Sequence, residues 1–283
     1  MTDQIPLKKT FIFIDGSYFC FHRYYSIVRW WKNAHPEEAD VLLNPYENTL
    51  FHDKFVKTFV ETVKDIPQKL GFKKDNHNFK MIVGKDCKRE NIWRNEHQEK
   101  YKANRKNDSG CGPFFKKVYE DGLFTQGGAS TIMLHDKLEA DDCIAISTRY
   151  LLKKYKDDPT LQIYIITSDK DYLQLIGPNV TIFDLTYKNL AEQKSSFGDA
   201  RANLFCKIIM GDTSDNIPSI FKKCGPKTTL KCYQNPHYFQ EKLKSENAYD
   251  KFKNNKIMVD FDCIPAEYTE ELLTCYNADV TTW

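Results

Sequence analysis

The chain has 283 residues, 41 Lys+Arg against 39 Asp+Glu, and is 41% hydrophobic and 14% aromatic. That is enough apolar material for a substantial core, which excludes a disordered chain and a small scaffold that needs covalent staples. The longest apolar runs, FIFI at 11–14 and IYII at 163–166, are too short to cross a bilayer. MTDQIPLKKT has no signal-peptide apolar segment, so an intracellular protein, cytoplasmic or nuclear, with no membrane partner is expected.

Strand-like and helix-like segments alternate along the chain. Residues 9–14 are apolar and β-prone, ending at Asp15-Gly16, and 17–32 read as an aromatic helix. After a polar stretch with Pro36 and Pro45, Phe55, Phe59, Val63 and Ile66 give 52–70 helical spacing. A second strand at 79–83 leads to Gly84-Lys85-Asp86. Residues 87–111 are polar and basic with no apolar stripe, and 113–123 read as a helix. A third strand near 130–134, a helix at 138–155 and a clear strand at 161–167 follow, the last ending at Ser168-Asp169. A short helix at 171–175 and a strand at 180–185 complete the pattern. The expected fold class is α/β, a mainly parallel sheet with helices on both faces. After about residue 198 the pattern is helical with turns at Gly211, Pro218 and Gly225-Pro226. The expected organisation is therefore a sheet domain, 1–197, and a helical module, 198–283.

The nine cysteines are scattered and form no CxxC pair, so reduced thiols are expected, not a disulfide framework or a zinc finger. The near-zero net charge hides segregation. Residues 88–117 hold nine bases and four acids, and 222–256 hold nine lysines and three acids. Such blocks form solvated faces and also suit a polyanionic partner.

In an open α/β sheet, sites form beyond the carboxyl ends of the strands. Asp15, Asp86 and Asp169 follow strands, with Asp171 two residues beyond the last. LEADD adds Glu139, Asp141 and Asp142 at a helix start, and GDTSDN adds Asp212 and Asp215. Any one of these acids could be an N-cap or turn residue. Nine together would repel prohibitively without cations, and hard oxygen ligands without Cys or His suit Mg²⁺ or Mn²⁺. Two such ions can activate water and stabilise the leaving oxygen of a phosphodiester. No GxxxxGK[ST] loop and no GxGxxG after a strand offers another phosphate chemistry.

Taken in order, FIFIDGSYF, DCKRENIWR…EKYKANRK, LEADD, ITSDKDYLQL and IMGDTSDNIP resemble the flap endonuclease / 5′-nuclease family. That family includes phage 5′→3′ exonucleases and the 5′-nuclease domains of bacterial DNA polymerases. The resemblance spans about 11–229. It implies a PIN-like nuclease domain, a helical arch at about 87–125 and a helix–three-turn–helix module. It implies two Mg²⁺ ions, with Mn²⁺ able to substitute. Asp15, Asp86, Glu139, Asp141 and Asp142 would hold or orient the first, and Asp169, Asp171, Asp212 and Asp215 the second. Lys102 and Arg105 would grip the scissile phosphate. Their spacing of three puts them on one face if the arch is helical. Arg94, Lys100 and Lys106 belong to the DNA-binding arch, and Gly225, Lys227 and Thr228 would contact duplex backbone. The basic residue expected soon after the first acid is His22 or Arg23.

The family's hairpin reads PG-x-x-GIGxKTA, with a K⁺ ion implied. Here PSIFKKCGPKTTL has Ser219 for a Gly, Lys223 where the first Gly of GIG stands, and one extra residue. Lys222 and Lys223 are therefore expected to bind phosphate directly. No QxxLxxFF-like sliding-clamp box is present. The implied activity is structure-specific 5′ nuclease action on DNA flaps, nicks or ends, or on RNA primers in hybrids, by a monomer in replication or repair. A PIN-like ribonuclease and an inactive DNA-junction binder are the alternatives. Of Tyr18, Phe19, Phe21, Tyr24 and Tyr25, about three are expected in the core, the rest being free to stack on bases.

Overall fold

FIFI alternates sides, and that alternation sets the layers. The computed structural model describes residues 9–73, 78–105 and 110–281, with side chains described as far as Tyr276. The strands β1 (Thr10–Asp15), β2 (Phe79–Gly84), β3 (Thr131–Met133), β4 (Gln162–Ile166) and β5 (Val180–Phe183) form one sheet in the order β3-β2-β1-β4-β5. Every pairing is parallel, with Ile12 opposite Met81 on one side and Tyr164 on the other.

Phe11 and Phe13 point to one face, where they join Ile82, Ile163 and Ile165. That face is covered by α5 (Ala140–Lys154) and α10 (Ala266–Thr281). Ile12 and Ile14 point to the other face. There α1 (Gly16–Ala34), α2 (Thr49–Lys69), α3 (Gly112–Glu120) and α4 (Leu123–Gln126) supply Phe19, Phe55, Phe59, Phe114 and Phe124. A sheet buried on both faces has continuous apolar strands, which is why FIFI and IYII read as they do.

The helical module holds α6 (Ala200–Met210), α7 (Pro226–Gln234), α8 (Pro236–Ser245) and α9 (Tyr249–Val259). The first three pack on a core of their own around Ile209, Phe221, Phe239 and Leu243. The chain then returns to the sheet, because Phe261, Ile264 and Leu272 belong to the core beneath α5. None of the nine cysteines, all among the described residues, is in a disulfide.

The expected α-helix around Lys102 is not what forms. The described part of 87–111 is turns with two short 3₁₀ segments, Arg89–Asn91 and Trp93–Glu96, and Lys102 sits at φ +54°. Without an apolar stripe the segment has no helix face to bury. It docks instead through backbone groups. Lys102 N–H donates to the Asp215 carbonyl at 3.0 Å, Asn104 to the Thr213 carbonyl at 2.7 Å and Asn216 to the Lys100 carbonyl at 2.9 Å. Lys106 lies outside the described residues. Among the described residues, no helix is long and apolar enough to cross a membrane.

Candidate metal centre and nucleic-acid interface

β1 is central, and the connections diverge on either side of it, so a crevice opens at its carboxyl end. Asp15 ends β1 and caps α1, accepting from Tyr18 N–H at 3.1 Å and from the Thr167 hydroxyl at 3.1 Å. It is thus both an N-cap and a crevice carboxylate. Asp86, two residues beyond β2, accepts from the Ser17 hydroxyl at 2.5 Å and from Ala140 N–H at 2.7 Å. Two glycines permit this close approach. A Cβ on Gly84 would lie 2.7 Å from the Ala140 carbonyl oxygen, and one on Gly16 2.5 Å from that of Gly84. Asp169 caps the 3₁₀ turn after β4, accepting from Asp171 N–H at 2.9 Å.

Asp15, Asp86, Glu139, Asp141 and Asp169 line one cavity of about 370 Å³, together with Lys102, Arg105 and Tyr18. Burial pushes the Asp15 carboxyl up to about 6, helped by the charge of Asp86. Burial and Asp171 push Asp169 up to about 7. Asp86 is raised by burial and Glu139, and Asp141 is raised well above the carboxylate range by burial, Asp142 and Glu139. These are carboxylates short of positive charge. Glu139 differs. Burial would raise it, but Lys102 at 2.5 Å and Arg94 at 3.0 Å outweigh that and hold it low.

Asp171, Asp212 and Asp215 form a second group whose oxygens lie within 4.8 Å of one another. Lys102 (3.7 Å) and Arg105 ion-pair with Asp215, so the two bases expected on one helix face do reach the same carboxylates, by a left-handed turn. Lys207, which the motifs do not single out, lies 2.5 Å from both Asp171 and Asp212. It overcomes the burial of Asp212, whose carboxyl it and Ser214 draw down to about 2.

Two expected roles are corrected. Arg94 is 2% exposed and cannot reach a DNA backbone; it donates twice to Asp142, at 2.7 and 2.8 Å, and to the Met258 carbonyl. Asp142 is fully buried, and its oxygens take Arg94, Trp93 Nε1 and the Glu139 N–H. These N–H donors occupy its oxygens and tie it to Glu139, although one of its oxygens still lies within 4.8 Å of oxygens of Glu139 and Asp141. A third expectation shifts by one. Phe19 and Tyr24 are core, while Tyr18, Phe21 and Tyr25 are 38%, 41% and 49% exposed. These three run along one side of α1. Phe21 and Tyr25 line a further cavity of about 820 Å³ with Lys85, Arg89, Lys102, Arg105 and Lys116. Neither His22 nor Arg23 lines either cavity.

The expected DNA-contact residues Lys100, Lys222, Lys223 and Lys227 are exposed, and Thr228 is half-buried. Gly225 caps α7. Lys223 stands at φ +49°, which explains why glycine suits that position in the family pattern.

Divalent cations fit the carboxylate cavity. Its donors are oxygens, five carboxylates with the hydroxyls of Ser17, Tyr18 and Ser214, and no thiol or imidazole lines it. A pH prediction follows. An Asp whose carboxyl is raised from 3.8 to about 6 or 7 takes up a proton on folding. Metal-free stability should therefore fall as pH rises from about 4 to about 7, and Ca²⁺ should restore it at the upper end. Melting curves in EDTA and in Ca²⁺ across that window measure this; a flat EDTA profile would refute it.

Residues 10–201 match the family described as 5′-3′ exonuclease, N-terminal resolvase-like domain. The ribonuclease H of enterobacteria phage T4 is 31% identical over 162 residues, 52% of this chain and 51% of its own length, so the match spans about half of that relative. The 5′-3′ exonuclease of Mycoplasmopsis pulmonis is 27% identical over 268 residues, 91% of this chain and 78% of its own. Among solved structures, the phage T5 flap endonuclease in complex with DNA and metal ions superposes with a TM-score of 0.63 at 17% identity. That match covers 96% of this chain and 99% of the T5 chain, a likeness of fold. With the family match covering most of the sheet domain and its crevice carboxylates, the chain belongs to the 5′-3′ exonuclease family.

Proposed function

We propose that the protein is a metal-dependent, structure-specific 5′ nuclease that hydrolyses phosphodiesters near single-strand/double-strand junctions of DNA, as a 5′→3′ exonuclease and 5′-flap endonuclease. The observation that carries this reading is the set of undercompensated carboxylates, Asp15, Asp86, Asp141 and Asp169, sharing one cavity with Lys102 and Arg105. Asp15, Asp86 and Asp141 would hold one Mg²⁺, Glu139 aiding, and Asp169, Asp171, Asp212 and Asp215 a second, with Mn²⁺ able to replace either. Such ions supply a water made nucleophilic near neutral pH and charge to balance the leaving oxygen.

The chain's own groups do the rest. Lys102 and Arg105 face the carboxylates and hold the scissile phosphate, where negative charge develops. Tyr18, Phe21 and Tyr25 offer faces on which unpaired bases stack while Lys85, Arg89 and Lys116 track the strand. Residues 198–283, with Lys222, Lys223, Lys227, Gly225 and Thr228, grip the duplex backbone. Residues 1–197 carry most of the carboxylates and the bases of the cavity, and Asp212 and Asp215 join them from the helical module. The ribonuclease H name of the T4 relative supports RNA–DNA hybrids as further substrates.

The test uses 3′-labelled 5′-flap, nicked, blunt and single-stranded DNA and an RNA–DNA hybrid, each with Mg²⁺ or EDTA. Flaps should be cut near the junction in Mg²⁺ alone. Junction-independent cutting of single-stranded RNA would make the protein a PIN-like ribonuclease instead, and junction binding without any cutting an inactive binder.

A second measurement separates catalysis from grip. Lys102→Ala should lower the single-turnover rate about 10²-fold or more, with a smaller change in affinity. Lys227→Ala should weaken binding and reduce the salt slope by about one, with little effect on the saturating rate. The reverse pattern would mean the two basic blocks have exchanged roles.

A further inference from the structure

α6 ends at Met210, and Gly211 at φ +69° turns the chain back so that Asp212 returns beside the last turn. This is what brings Lys207 Nζ within 2.5 Å of both Asp212 Oδ2 and Asp171 Oδ1. Both contacts are charged and close: Lys207 donates to Asp212 Oδ2 and ion-pairs with Asp171 Oδ1. Lys207 and Asp212 also line an open cavity of about 870 Å³, rimmed by Lys170, Lys194 and Lys227.

We propose that Lys207 is a displaceable counter-ion: it neutralises Asp171 and Asp212 while no divalent cation is bound there, and yields them to the cation by swinging toward the lysine-rimmed cavity, where its ammonium meets substrate phosphate. The inference rests on the reading of Asp171, Asp212 and Asp215 as cation ligands. A monovalent ammonium and a divalent ion cannot both occupy these oxygens, because like charges a few ångström apart in a half-buried site repel strongly. The lysine stem is flexible and its head is a point charge, so it can leave without breaking a fixed fork of bonds. Arg94, held by Asp142, Glu139 and the Met258 carbonyl in the core, has no such freedom. Because coupling between two ligands is reciprocal, cation binding here strengthens phosphate binding, and phosphate strengthens cation binding.

The test needs no cleavage. Metal-free whole protein is titrated with Ca²⁺ by calorimetry, without DNA. The wild type should show a tight and a weak class of sites. Lys207→Met should tighten the weak class by about tenfold or more. Lys194→Met, from the same cavity but touching neither carboxylate, should leave both classes unchanged. In parallel, the wild type is treated with an amine-acylating reagent and read by mass spectrometry. Lys207 should be protected in EDTA and labelled in saturating Ca²⁺. Should Lys207→Met fail to fold, this labelling decides alone. Unchanged or weaker Ca²⁺ binding in folded Lys207→Met, or Lys207 still protected at saturation, overturns the proposal and leaves the nuclease reading standing. If neither protein binds a divalent ion, the cation-ligand reading fails and this inference with it.

Discussion

Asp141→Asn is expected to abolish cleavage, by about 10²–10³-fold or more, the scale of losing one electrostatic group from a site shielded from water. It should at the same time raise the melting temperature in EDTA. Asp141 is a half-buried carboxylate pushed well above its ordinary range by desolvation and by Asp142 and Glu139, so its charge opposes folding. An amide keeps the oxygen that accepts from Asp142 N–H at 2.8 Å. The next residue should behave in the opposite way. Asp142→Asn leaves the Arg94 guanidinium in the core without its bidentate partner and should lower the melting temperature. Single-turnover cleavage in Mg²⁺ and melting in EDTA check both. Near-wild-type cleavage by Asp141→Asn would remove it from the site.

Arg94→Ala is the largest expected loss of stability. Arg94 and Asp142 are 2% and 0% exposed, and removing one member of a buried pair leaves the other as an unpaired charge, at a cost of about 3–5 kcal/mol. Glu139 and the Met258 carbonyl lose a donor as well. Urea unfolding measures the loss. Arg94→Met with Asp142→Leu should recover part of it, because a packed apolar pair avoids the desolvation of both charges. DNA affinity per folded molecule should keep its salt slope in Arg94→Ala. A slope reduced by about one would return Arg94 to the DNA interface.

What the sequence made legible follows from local physics. FIFI and IYII are continuous apolar runs, and FKMIV is one after Lys80, because their strands are covered on both faces, so they could be read as strands of a parallel sheet directly. The acids after β1, β2 and β4 were legible because chain direction alone puts them at one edge. What was not legible is burial among like charges. Arg94 sits in a stretch as basic as any DNA-contacting arch, and composition cannot tell a core guanidinium from a surface one. Lys207 is one lysine among many. Only the reversal at Gly211 brings it to Asp212, and no helical spacing encodes a turn back on itself. Lys102 and Arg105 reach the carboxylates, as their motif implies, but by a left-handed turn docked on the GDTSDN loop, which depends on contacts from another part of the chain.

That docking has a consequence for when the protein becomes competent during its synthesis. The central carboxylates of the sheet are complete once Asp171 has left the ribosome. Lys102 and Arg105, however, are positioned by Thr213 and Asp215, and the Arg94 fork that orients Asp142 closes on the Met258 carbonyl. The growing chain therefore displays these acids well before Lys102 and Arg105, the bases proposed to grip phosphate, are held in place. On the proposed reading, cutting would wait until Met258 has emerged, so a copy broken off before that point would carry the acids without the bases aimed at them.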